Sequence, residues 1–317
     1  MSAAPSATPE SLSPLVVSLP GAALRTALGS VPDGVELVEW DMKGPAPVPH
    51  IDIVVQPYMG ATPLLGNLAG TTTRLVQSQS IGYDGVVDVL PPGHVFANAA
   101  SVHETSTAEL TLALILASQR GIPDFVRAAG EGRWAPARHA SLADRTVLIV
   151  GYGGVGQAIE ARLLPFEVNV VRVASTARQG ETGPIHGIDE LPELLQQADI
   201  VVVGVPLSDN THHLVDDAFL AAMPDGALLV NIARGPVADT AALLAHAGSG
   251  RLRLALDVTD PEPLPAGHPL FALPNVLISP HVGGASTAMM PRMARLLSDQ
   301  IERMLRGEDP RNVVVRS

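Results

Sequence analysis

One stretch constrains this chain more than any other. Thr146–Val150 reads as a strand, Gly151-Tyr152-Gly153-Gly154-Val155-Gly156 follows at once, and Val155–Leu164 reads as a helix leading to a strand at Asn169–Val173. A G-x-G-x-x-G run between a strand and a helix is a dinucleotide fingerprint in its proper context. Gly151 allows the tight turn, Gly153 lets a pyrophosphate approach the backbone, and Gly156 lets helix and strand pack closely. Gly154 and Val155 begin the helix, whose first N–H groups face the phosphates. The alternative, a glycine-rich turn with no ligand, fits the surrounding strand–helix–strand unit less well.

Short apolar runs alternate with helical patterns on both sides of this loop. Before it, strands are expected at Leu15–Leu19, Val35–Trp40, Ile51–Val55, Arg74–Gln77 and Val95–Asn98. A helix is expected at Ala22–Leu28 and a long one at about 105–119, capped by Thr105 or Ser106. After it, strands are expected at Ile200–Val203, Ala227–Asn231, Leu252–Leu256 and Val276–Ile278. Helices are expected near Leu191–Gln197, Ala218–Met223, Thr240–Ala247 and Thr287–Arg306. Continuous apolar strands are buried on both faces, and alternation with helices means parallel sheets. The fold class is therefore α/β, with two doubly wound parallel-sheet domains. A length of 317 residues suits two domains.

Composition narrows the functions. Hydrophobic residues make up 46% and charged residues 16%, which excludes disorder. A formal charge of −12 with no basic patch beyond Arg251 and Arg253 argues against nucleic acid and membrane surfaces as partners. With no cysteine, disulfides and thiolate metal sites are out, and no metal-ligand cluster is visible. Residues 1–13 read as a flexible arm without the features of a signal peptide, and the apolar run Leu110–Ala117 is too short to span a bilayer. A cytoplasmic protein is expected.

The strand Asn169–Val173 ends on Ala174, where an acid would normally hold the ribose 2′-hydroxyl. Ser175, Thr176 and Arg178 can instead hold a 2′-phosphate, so NADP(H) is favoured over NAD(H). A solvated loop arginine is the alternative for Arg178.

Three segments after strands carry the candidate chemistry: Asn231-Ile232-Ala233-Arg234-Gly235, Asp257 to Leu264, and Ser279-Pro280-His281-Val282-Gly283-Gly284. Ligands bind beyond the carboxyl ends of strands in such sheets. Reducing a 2-keto acid needs a cation for the carboxylate, an acid for the carbonyl oxygen, and a carboxylate to orient that acid. Arg234, His281 and Glu262 form that set.

With these motifs in place the chain resembles the D-isomer-specific 2-hydroxyacid dehydrogenases, from about Leu15 to Val315. Val205-Pro206-Leu207 with Thr211, and Ala108-Glu109, belong to the likeness. The resemblance implies that Arg234, Glu262 and His281 are catalytic and that Asp257 sits by the cofactor. It implies that Val205, Pro206, Thr211, Ile232, Ala233, Gly283 and Gly284 line the cofactor pocket. It further implies a Rossmann cofactor domain at 119–287 and a flavodoxin-like substrate domain split between 1–118 and 288–317. Substrate would meet backbone N–H groups of Ile81 and Gly82 in the Ser80–Asp84 loop, with Tyr58 and His103 as further candidates. A packing tyrosine and a loop histidine are the alternatives for those two. Homodimers are implied, with residues 105–140 near the partner. The expected activity is hydride transfer between NAD(P)H and a small 2-keto or 2-hydroxy acid. The alternatives are a non-catalytic NAD(P)-sensing protein on the same fold, or a formate or phosphite dehydrogenase. Glyoxylate, hydroxypyruvate, phenylpyruvate and 3-phosphoglycerate remain open as substrates, the last disfavoured by the scarcity of spare cations.

Overall fold

Apolar side chains that alternate between two covered faces explain the central strands of both six-stranded sheets. A computed structural model describes residues 13–317. Apart from Ser13, the expected N-terminal arm lies outside the described residues. In chain order the first elements are β1 (Leu15–Leu19), α1 (Ala22–Leu28), β2 (Val35–Glu39), β3 (His50–Val55), β4 (Thr72–Gln77), α2 (Val86–Val89) and β5 (Val95–Ala97). Then come α3 (Glu104–Gln119), α4 (Ile122–Gly130), β6 (Thr146–Val150), α5 (Gly154–Leu163), β7 (Asn169–Val173), β8 (Arg178–Gly180) and β9 (Gly183–Ile185). Next are α6 (Leu191–Leu195), β10 (Ile200–Val203), α7 (Asp217–Ala222), β11 (Leu228–Asn231), α8 (Thr240–Gly248), β12 (Arg253–Leu256) and β13 (Val276–Ile278). The chain closes with α9 (Met289–Leu305) and β14 (Val313–Arg316).

Two compact units result. One comprises residues up to Val102 together with 290–317, and the other comprises 103–289. The sequence reading carried the first unit to residue 118. The structure instead groups α3 with the second unit. The reason is packing: Ala108, Leu112 and Ile115 of α3 share a core with Ile159 and Leu163 of α5, and α3 also touches β11 and β12. Neither Thr105 nor Ser106 caps α3, because the helix starts a residue earlier, with His103 at the N-cap position.

The first unit is a sheet in the order β14-β5-β4-β3-β1-β2. Its parallel part follows the flavodoxin order. β14 adds antiparallel to β5 and was not anticipated. The second unit holds the parallel sheet β13-β12-β11-β10-β6-β7. Beyond β7, the hairpin β8–β9 delivers His186 alongside Val173 in a parallel bridge, completing a Rossmann-type strand order. On β10, Val201 and Val203 enter one core while Ile200 and Val202 enter the other. On β6, Leu148 and Val150 oppose Val147 and Ile149 in the same way. Each such side chain contributes about 1.5–3 kcal/mol on burial. That double coverage fixes the register, and the parallel strands β6, β7 and β10–β13 of the second unit end at the same edge of their sheet.

Candidate functional site

At that edge the exit from β6 is built around missing side chains. Gly151 has φ 105°, and a Cβ there would lie 2.6 Å from the Gly204 backbone. A Cβ on Gly156 would lie 2.5 Å from the Gly151 carbonyl oxygen. Those contacts pin the loop against β10 and close α5 down onto β6. Gly153 differs: a Cβ there would meet nothing within 4 Å, and it precedes α5 without any side-chain cap. A tight inner side and an open outer side at a helix N-terminus suit a pyrophosphate. The residues present therefore fit a dinucleotide.

The end of β7 lies beside this loop. Ser175, Thr176 and Arg178 are exposed, and the Arg178 guanidinium donates to the carbonyls of Tyr152 (3.2 Å) and Thr176 (3.3 Å). Under the loop is a charged cluster the sequence reading missed. Glu160 of α5, 2% exposed, accepts from the Tyr152 hydroxyl and from two nitrogens of Arg172, one of them at 2.9 Å. Burial pushes the Glu160 carboxyl up, but Arg172 and Tyr152 outweigh it and leave it below the ordinary carboxylate range.

The loops after β10, β11, β12 and β13 carry the other candidates. After β10, Val205 is half-buried, and the Thr211 hydroxyl donates to the Pro206 carbonyl at 2.7 Å, closing the turn. After β11, Asn231 accepts from Ala233 N–H (3.0 Å) and donates to the Arg234 carbonyl (3.2 Å), so its side chain shapes the bend that presents Arg234. Ile232 is half-buried and Ala233 buried. Gly235 must be glycine, since a Cβ would sit 1.9 Å from the Thr259 carbonyl oxygen. That approach sets the Arg234 loop against the loop that carries Glu262. After β13, His281 adopts φ 52°, and its Nδ1 lies 2.6 Å from Glu262 Oε1. An ionised carboxylate only accepts, so opposite an ionised Glu262 it is Nδ1 that bears the hydrogen of this contact. Both side chains are partly exposed, at 32% and 41%.

Asp257 organises the histidine loop. It is 3% exposed, and its carboxylate accepts from Ser279 Oγ (2.6 Å), Val282 N–H (2.9 Å) and Gly283 N–H (2.9 Å). Its own carbonyl accepts from His281 N–H at 2.7 Å. His103 is buried, with Nδ1 3.3 Å from the Gly284 carbonyl oxygen. Among the described residues there is no group of three or more His, Asp or Glu able to hold a metal, and no helix is long and apolar enough to cross a membrane.

Tyr58, Ile81 and Gly82 belong to the first unit, where all three are half-buried. Asn98 Nδ2 donates to the Ile81 carbonyl at 2.9 Å. A trans peptide points its N–H away from its C=O, so this bond turns the Gly82 N–H away from Asn98.

Fold and glycine cradle together define a dinucleotide-binding protein of the Rossmann type. The profile of "D-isomer specific 2-hydroxyacid dehydrogenase, NAD binding domain" matches residues 112–283. Human glyoxylate reductase/hydroxypyruvate reductase is 32% identical over 304 residues, 90% of this chain and 92% of that protein. A glyoxylate reductase of Korarchaeum cryptofilum is 32% identical over 78% of this chain and 77% of its own length. A D-isomer specific 2-hydroxyacid dehydrogenase of Xanthobacter autotrophicus, solved with NADPH, superposes with a TM-score of 0.81 at 29% identity over 96% of this chain and 98% of that one. The chain belongs to the D-isomer-specific 2-hydroxyacid dehydrogenase family. It is an oxidoreductase that moves a hydride between NAD(P)H and a small 2-keto or 2-hydroxy acid.

Proposed function

We propose that this enzyme reduces a small 2-keto acid of the glyoxylate or hydroxypyruvate kind and uses NADPH in preference to NADH. The 2.6 Å contact between His281 and Glu262, on the sheet whose first strand opens the glycine cradle, carries the reading. When bound, the nicotinamide supplies the hydride. His281 donates the Nε2 proton to the C2 oxygen, and Glu262 steadies the imidazolium through Nδ1. Arg234 holds the substrate carboxylate and polarises the carbonyl through its planar fork. In the first unit, the backbone N–H groups of Ile81 and Gly82, with Tyr58, are the candidates for binding substrate. His103, buried against Gly284, supports the Gly283–Gly284 loop. Asp257, with both oxygens engaged, keeps His281 in register beside the cofactor, while Val205, Pro206, Thr211, Ile232 and Ala233 wall its pocket.

Preference for NADPH is supported by Ala174 in place of an acid and by exposed Ser175 and Arg178 beside the loop. The Xanthobacter relative was solved with NADPH. A cytoplasmic homodimer is part of the proposal. Exposed apolar groups on α4 and just after it, Val126 at 66% and Trp134 at 97%, support the contact. Light scattering at micromolar concentration tests it, and a mass of one chain would oppose it.

Initial rates of purified protein with NADPH and NADH against glyoxylate, hydroxypyruvate, phenylpyruvate and 3-phosphoglycerate test the substrate and cofactor. The expected result is turnover of the two small acids, faster at low NADPH than at low NADH. Cofactor binding without turnover of any acid would favour a sensing protein instead.

A further inference from the structure

Two fully interlocked charges lie beneath the cofactor loop, where apolar residues would pack as well. A buried ion pair is weak evidence for stability, because apolar residues of similar size often serve equally. Its placement is more informative. Tyr152 is the residue between the first two glycines of the loop and is 8% exposed. Its hydroxyl reaches Glu160 on α5 and lies 3.5 Å from Thr182 Oγ1, in the turn joining β8 to β9. Glu160 holds Arg172 of β7 through two nitrogens, and the Arg172 guanidinium stands 5.8 Å from the centre of the Tyr152 ring. Arg172 also lies under the hairpin turn, since a Cβ on Gly183 would be 3.4 Å from its Nη1. At its other end the same tyrosine accepts Arg178 Nη2 on its carbonyl oxygen.

We propose that Tyr152, Glu160 and Arg172 are positioning residues that lock the glycine loop to the β8–β9 hairpin and so fix Arg178 where the 2′-phosphate of NADPH is met. This rests on the reading that Arg178 recognises that phosphate. The chemistry is consistent with it. A guanidinium has five N–H donors in one plane. Bonds to the Tyr152 and Thr176 carbonyls use two and set the plane, leaving three for an anion. An arginine held in this way loses less rotamer freedom on binding than a free one.

Dissociation constants of NADPH and NADH, measured by quenching of protein fluorescence on the full chain without substrate, test the proposal. Tyr152→Phe keeps the ring and removes the hydroxyl. It is expected to weaken NADPH about tenfold, the scale of one charged hydrogen bond taken out of good geometry, and NADH less than about threefold. In steady state the change appears in KM for NADPH rather than in kcat. The double change Glu160→Leu with Arg172→Met removes both charges together, leaves no uncompensated ion, and is expected to shift the same ratio. Folding of each variant is checked by its melting curve.

A folded variant that keeps the wild-type NADPH-to-NADH ratio overturns the proposal, including one in which both cofactors weaken equally. Arg178→Ala separates the two levels. If it lowers the ratio while Tyr152→Phe does not, the positioning role fails and the phosphate contact stands. If Arg178→Ala leaves the ratio unchanged, both fall.

Discussion

The two units use the same architecture to present different chemistry. In the second unit the loops beyond the strands carry ionisable side chains: Arg234, Glu262 and His281. The close backbone approach at Gly235 sets the Arg234 loop against the Glu262 loop, and the doubly engaged Asp257 sets the His281 loop. In the first unit the loop after β4 presents backbone, and neutral amides hold it. Gln77 donates to the Ser78 and Asn98 carbonyls, Gln79 to the Gln56 carbonyl, and Asn98 to the Ile81 carbonyl. Gln300 of α9 closes onto Gln77 at 2.8 Å. Amides carry no charge to desolvate, so they can be buried wherever their hydrogen bonds are met. On the proposed function, one unit moves protons and the other offers fixed N–H donors. Substitution of His281 should fall on kcat, and substitutions that loosen the Ile81–Gly82 peptide on KM for the keto acid.

The sharpest test of that contrast is His281→Ala. It is expected to lower kcat by about 10²–10⁴-fold with little change in KM, read from steady-state rates with NADPH and glyoxylate. An equal rise in KM would blur the division. Next in size, Gly235→Ala puts a Cβ 1.9 Å from the Thr259 carbonyl oxygen, and no side chain can yield there. A loss of about 3 kcal/mol in urea unfolding is expected. A neutral result would mean the Arg234 loop is not held by that approach. On the first unit, Asn98→Ala frees the Ile81–Gly82 peptide. The expected result is a KM for the keto acid raised roughly tenfold with kcat changed less. A fall confined to kcat would reverse the comparison.

The smallest effect concerns pH. His94 is buried in the first unit beside Thr73, at 2.7 Å, and burial pushes its imidazole below the ordinary value of about 6.5. The unfolded chain therefore takes up a proton before the folded one does. Stability should fall as pH drops below about 6.5 and level off once folded His94 is protonated. His94→Gln should flatten that part of the melting-temperature profile.

Much of this was readable in the chain. β1, β7, β10 and β13 match their expected limits; β10 is the plainest case, since a strand buried on both faces is a continuous apolar run bounded by polar residues. His281 and Glu262, nineteen positions apart, were legible because each follows a strand that must end at the same edge. β14 was missed because its partner, β5, lies more than two hundred residues earlier and leaves no local mark. The β8–β9 hairpin was missed because Arg178–Gly180 and Gly183–Ile185 show no period-two apolar pattern. Arg172 drew no notice inside β7, since an arginine in an apolar strand does not announce a partner on a neighbouring helix. The grip of Asp257 on the histidine loop was hidden as well. It runs to backbone N–H groups, which every residue but proline carries.

The central claim is hydride delivery from NADPH to C2 of a 2-keto acid. Incubating the enzyme with glyoxylate and NADPH deuterated at the transferable position, and analysing glycolate by mass spectrometry, tests it most directly. The account expects one deuterium on C2 of glycolate for each cofactor oxidised. Glycolate without deuterium, or no glycolate and no cofactor oxidation, would contradict it.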